Sequence, residues 1–116
     1  AAIQGFFGQA NYAAAKAGVQ AMMRVLSREG ARRGIRANAV APGVIDTPMW
    51  SQVDALFARY EGLQPGEKKV AVGKAVPLGA MGQPSDVAGA AVFLASAAAG
   101  YITAQTLNVD GGNVMS

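Results

Sequence analysis

The segment IRANAVAPG, Ile35 to Gly43, most narrowly limits the fold. It reads as a short strand from Ile35 to Ala41, closed by the Pro42-Gly43 bend. Small side chains fall on both of its faces, which suits a strand covered on both sides. One other segment reads the same way, Thr106 to Val109 in TAQTLNVDGG, followed by a glycine turn. Strands covered on both faces belong to parallel sheets, and parallel neighbours are joined by long crossovers that usually carry helices. The residues between the two segments supply those helices. Two strands alone cannot make a doubly wound sheet, so the chain reads as a piece of a larger α/β domain.

The helices follow from spacing and punctuation. From Tyr12 to about Arg32, apolar side chains recur at three- and four-residue intervals (Val19, Met22, Met23, Leu26), with Asn11 as a candidate cap and Gly34 at the expected stop. A second helix is expected from about Pro48 to Tyr60, capped by Asp46 or Thr47 with Pro48 in its first turn. QPGEKK breaks it, and a further helical stretch runs from about Lys68 to Val76, ending at Pro77. QPSDVAGAAVFLAS predicts a helix with Ser85 as the preferred cap. Residues 1 to 11 read as loop around Phe6 and Phe7. No repeat, low-complexity tract or linker interrupts the 116 residues, which suffice for one small domain.

Composition narrows the chemistry. The chain has no cysteine, so disulfides and thiolate chemistry are excluded, and it has no histidine, the usual general base and metal ligand. No metal site is expected, and acid–base work falls to Tyr, Lys, Asp or Glu. The net charge is +3, but the basic residues are dispersed. The densest run, Arg28 to Arg36, ends the first helix, where cations suit the helix dipole. No aromatic residues interleave with it, so nucleic acid is not an expected partner. No apolar run is long enough for a membrane span, and the N-terminus lacks the basic start and apolar core of a signal peptide. Both features point to a cytoplasmic protein.

Against that background the stretch NYAAAKAGV stands out. Tyr12 and Lys16 lie one helical turn apart, so phenol and ammonium share a face. A free phenol is almost wholly protonated at pH 7, and a nearby positive charge favours its ionised form. The first helical turn favours negative charge as well. Such a pair suits proton exchange with an alcohol or carbonyl oxygen. A tyrosine four residues before a lysine also arises by chance. The small residues around it (Ala13, Ala14, Ala15, Ala17, Gly18) suit either the close approach of another backbone or plain helix packing.

The blocks GQANYAAAKAGV, GIRANAVAPGVIDTPM, GQPSDVAGAAVFLAS and YITAQTLNVDGG, in this order, resemble the C-terminal half of a short-chain dehydrogenase/reductase. The resemblance covers nearly the whole chain. ALFARYEGLQPGEKKVAVGKAVPLG and NVDGGNVMS are similar to NAD-dependent bacterial polyol dehydrogenases of the sorbitol or galactitol type. The resemblance implies the C-terminal part of a Rossmann-like doubly wound parallel sheet, running from the catalytic helix to the last strand. The family's N-terminal nucleotide-binding half is absent: neither its phosphate-binding glycine loop, nor its N-N-A-G segment, nor its catalytic serine falls in these residues.

By position, the resemblance makes Tyr12 the catalytic acid–base residue and, with Lys16, part of the cofactor-binding set. Lys16 becomes the group that favours its ionised form and holds the nicotinamide ribose. Pro42, Gly43, Val44, Ile45 and Thr47 match the family's P-G-x-x-x-T loop, which contacts the nicotinamide and the cofactor phosphates; without that context the loop is an ordinary strand-to-helix turn. Residues 48 to 78 fall where the family has its substrate lid, so Met49, Trp50 and Phe57 either line a pocket or pack that segment down. Asn108 to Gly112 read as a structural turn. The cofactor implied is NAD, with NADP not excluded, and the substrate a small alcohol or carbonyl compound. A homotetramer is the implied assembly. The alternative activity is a 3-oxoacyl carrier-protein reductase, for which Lys68, Lys69 and Lys74 offer a basic surface. The other alternative is a non-catalytic fragment that pairs with a complete subunit. By itself the 116-residue piece is expected to be inactive.

Overall fold

The computed structural model describes residues 10–115. The expectation of a loop around Phe6 and Phe7 lies outside the described residues. Six regular elements follow one another: α1 (Ala10–Gly30), β1 (Ala39–Pro42), α2 (Trp50–Glu61), α3 (Glu67–Ala75), α4 (Pro84–Ala95) and β2 (Thr106–Val109). The α/β class and the expected element order are both present. β1 and β2 are hydrogen-bonded neighbours. The bonds Ala39 N to Gln105 O and Gly43 N to Val109 O climb both strands together, so the pair is parallel. β2 has the predicted bounds. β1 is shorter than predicted, because residues 35–38 bond through side chains and turns rather than in a regular ladder.

Contacts divide the chain into two compact units, Ala1–Ala39 with Leu94–Leu107, and Val40–Phe93 with Asn108–Ser116. In the first, α1 passes into a single 3-10 turn, Ala31–Arg33, and stops at Gly34 in the left-handed region (φ 73°). Gly34 N donates to Ala31 O and Ile35 N to Gly30 O, the paired bonds that satisfy the last carbonyls of a helix. Gly30 is needed there, since a Cβ on it would lie 2.9 Å from Ile35 Cβ. Asn11 is inside α1 and does not cap it. Of the apolar face read from the sequence, only Met23 is buried; Val19, Met22 and Leu26 remain at least half exposed, because no described element covers them.

Arg36 departs from its expected place on a solvated helix end. Its guanidinium donates to Leu94 O at 2.8 Å and to Ser96 O and Ile102 O at 3.3 Å. A cation thus sits on carbonyls that the C-terminus of α4 leaves unpaired. Asn38 extends the tie, donating to Ile102 O and accepting from Gln105 N, each at 3.0 Å.

In the second unit the caps differ from those read in the sequence. α2 begins two residues after Pro48, with Met49 at its cap position and no side-chain capping bond; the first turn is held by Thr47 O, which accepts from Trp50 N at 3.0 Å. α4 begins at Pro84, one residue before the expected cap Ser85. Asp86 closes it instead, accepting from Gln83 N at 2.7 Å while Asp86 N donates back to Gln83 O. The NVDGG segment is the expected turn: Asp110 accepts from Gly112 N and Val114 N, each at 3.0 Å. No helix among the described residues is long and apolar enough to cross a membrane.

Candidate active site

Tyr12 and Lys16 come together as the spacing requires. Both project from the first described turns of α1, and the Lys16 ammonium lies 5.5 Å from the centre of the Tyr12 ring. Tyr12 is half exposed, and its hydroxyl has no hydrogen-bond partner among the described residues. A phenol can both donate and accept, and the ammonium lies on the same side of the helix as its ring. The alanines around it make no wall. Gly18 faces open space, since a Cβ added to it would meet nothing within 4 Å; no backbone among the described residues uses the approach that its size permits.

The loop carrying Pro42, Gly43, Val44, Ile45 and Thr47 belongs to the second unit. Pro42 closes β1. Gly43 is fixed by space, because a Cβ there would fall 2.5 Å from Asp110 Cβ and 2.7 Å from Asp110 Cα. Beyond it the chain makes a one-residue parallel bridge between Ile45 and Gly82. Gly82 N donates to Val44 O and Asp46 N to Gly82 O, at 3.0 and 2.8 Å. That register turns the amide and carbonyl of Ile45 to the opposite edge. The Ile45 carbonyl accepts from the Trp50 indole at 3.0 Å. The amides of Gly43 and Asp46 are occupied, whereas those of Val44, Ile45 and Thr47 make no backbone bond among the described residues. These amides and the Thr47 hydroxyl form a donor set suited to a carboxamide or a phosphate oxygen.

Thr47, Trp50 and Ser51 line an open cleft of about 570 Å³ together with Asp46, Asp54 and Lys69. Of the three large residues expected at the lid, Trp50 is held by its indole bond. Phe57 is engaged by Lys68, whose ammonium lies 4.5 Å from the ring centre, and Met49 is 69% exposed. Neither Phe57 nor Met49 lines this cleft.

Of the polar residues of the cleft, Ser51 and Asp54 were given no role by the sequence. Asp54, nearly buried within α2, accepts from Gly66 N at 2.5 Å and Lys69 N at 3.0 Å, capping α3 across the intervening loop. These two amides hold its carboxyl below the usual carboxylate range. Lys69 also reaches back with its ammonium, 2.9 Å from Asp46 Oδ1. In the sequence Asp54 is one acid on an amphipathic helix. Its partners lie 12 and 15 residues away, beyond any local pattern.

Comparison with known proteins bears on the family and the fold. A family model described as enoyl-(acyl carrier protein) reductase matches residues 1–113. A galactitol 2-dehydrogenase of Agrobacterium fabrum and a sorbitol dehydrogenase of Cereibacter sphaeroides are each 53% identical over 105 residues, 90% of this chain and 41% of theirs. A 3-oxoacyl-[acyl-carrier-protein] reductase of Rickettsia felis is 45% identical over 113 residues, 97% of this chain and 42% of its own. Among solved structures, a variant of actinorhodin polyketide ketoreductase with NADPH superposes with a TM-score of 0.86 at 38% identity, covering 96% of this chain and 42% of that one. The chain thus spans about two fifths of the length of the curated relatives it matches. With the family model matching almost the whole chain and the fold shared with solved members, the chain belongs to the short-chain dehydrogenase/reductase family.

Proposed function

We propose that these residues form the C-terminal part of an oxidoreductase that moves hydride between a polyol or other secondary alcohol and a nicotinamide dinucleotide. The Tyr12–Lys16 pair carries this reading: an accessible phenol beside an ammonium on one helical face. Tyr12 takes the hydroxyl proton of the alcohol during oxidation and returns it during reduction. Lys16 supplies a positive charge on the same helical face and donates to the cofactor ribose. The loop amides of Ile45 and Thr47, with the Thr47 hydroxyl, hold the nicotinamide and phosphate end. Pro42, Gly43 and Val44 shape the loop that presents them. The cofactor, NAD or NADP, supplies the hydride acceptor and donor. The two sugar-alcohol dehydrogenases among the relatives support the polyol side, and the ketoreductase solved with NADPH supports the nicotinamide cofactor.

A Tyr12→Phe substitution in the full-length protein tests this. Removal of the proton carrier lowers kcat/KM for galactitol or sorbitol by about 10²-fold or more, in line with the usual contribution of a positioned acid–base group. Cofactor binding and the thermal transition stay within error of the parent. Unchanged turnover in Tyr12→Phe would remove the assignment and favour a non-catalytic chain that pairs with complete subunits.

The second reading is reduction of 3-oxoacyl groups on a carrier protein, favoured by the reductase among the relatives. Its basic docking surface is weaker than the sequence suggests. Lys68 lies 3.3 Å from Glu61 and Lys69 2.9 Å from Asp46, which leaves Lys74 without an ion pair among the described residues. Polyol-dependent formation of reduced cofactor, without turnover of an acyl carrier protein substrate, decides for the first reading; the reverse result decides for the second.

A further inference from the structure

We infer that the Asp46–Lys69 ion pair is a latch that sets the cofactor loop, and that Lys69 is a positioning residue for Thr47; the inference rests on the proposed nicotinamide-binding role of that loop. Asp46 stands between Ile45 and Thr47, whose amides make no backbone bond among the described residues. Its own backbone is fixed on one side, through Asp46 N to Gly82 O. On the other side its carboxylate meets Lys69 at 2.9 Å. Lys69 is fixed in turn, because its amide donates to Asp54 Oδ1. Asp54 also accepts from Gly66 N, so one carboxylate of α2 sets the start of α3 and with it the root of the Lys69 side chain. A chain of bonds therefore runs from α2 through α3 to the residue next to Thr47. Both charges are part-exposed, at 41% and 37% of their side chains. A pair of that kind carries only a modest free energy. Its effect is on where the loop rests, and it is modest in size and sensitive to salt.

The test measures binding of the reduced nicotinamide nucleotide to the full-length protein by its own fluorescence, with Asp46→Asn, Lys69→Met, the double variant and Lys74→Met. The latch predicts that Asp46→Asn and Lys69→Met each raise the Kd about 3–5-fold, the range that an exposed ion pair can supply. The double variant shows the same rise as either single one, because the pair is already broken. Lys74→Met, on the same helix but unpaired, binds like the parent. Raising the salt weakens the parent more than the variants. Amide hydrogen exchange of residues 44–47 without nucleotide is faster in both single variants, which follows the loop apart from any ligand.

If Asp46→Asn tightens binding while Lys69→Met weakens it, Lys69 contacts a cofactor phosphate directly and the latch is wrong. Unchanged Kd and unchanged exchange in Lys69→Met also overturn it. A parent that binds no nicotinamide nucleotide removes the proposed function and the latch together. Loss of turnover in Tyr12→Phe with the Lys69 effects unchanged leaves both standing. If Tyr12→Phe turns over normally while the Lys69 effects persist, only the catalytic assignment falls.

Discussion

Ala104 is the one non-glycine residue with positive φ among those described, at 62°. A Cβ in that region crowds the neighbouring carbonyl, at a cost of about 1–2 kcal/mol. The conformation is held by Ala104 N donating to Ala37 O at 2.8 Å. Ala104→Gly relieves the crowding but loosens the unfolded chain, which returns about 0.4–1 kcal/mol. The net expectation is a gain of about 0.5–1 kcal/mol in the full-length protein, read as a higher denaturant midpoint with unchanged slope. No gain would mean that the turn relaxes around alanine. Nothing in the string TAQT marks this position, since an alanine reads the same at any φ. Tyr12 and Lys16 were legible because the helix period alone brings them to one face. Gly43 was legible as a bend and by resemblance as part of a loop; that it clears Asp110, 67 positions later, is a fact of packing.

Each helix was visible in the sequence, but its caps were largely not. Periodicity and Pro or Gly punctuation located α1 to α4 within a few residues. Caps go to whichever acceptor packing delivers, and α3 takes its acceptor from α2. Asp54 therefore makes a pH prediction for the α2–α3 pair. Its carboxyl is held below its ordinary range by two amides that exist only in the folded state. Its stabilising share is present above the unfolded value of about 3.9 and is lost as pH falls through the lower folded value. Protection of the first-turn amides of α3 from hydrogen exchange, relative to their intrinsic rates, should accordingly fall in acid, below about pH 4. An Asp54→Ala chain should exchange fast there at neutral pH and lose that acid dependence. An acid loss of protection persisting in Asp54→Ala would assign it to another group.

At the scale of the whole chain, apolar surface is the dominant fact. Met23, Val76 and Ala99 are the buried apolar residues among those described, whereas Val19, Met22, Val25, Leu78 and Val92 are all more than half exposed. A two-stranded sheet with so little buried apolar surface is marginal alone. The 116-residue chain expressed by itself should therefore self-associate or melt broadly, and sedimentation with a thermal scan checks this; a monomer with a sharp transition would contradict it. The family was legible because four separated blocks keep its order, yet the surroundings of each block were not, since packing partners leave no trace in local spacing. The chain also carries its own optical probe. Trp50 is the only tryptophan of the 116 residues, and its indole N–H is bound to the Ile45 carbonyl in the loop that follows β1. Its emission colour and quenching report whether loop and helix are joined, a signal available before any substrate is known.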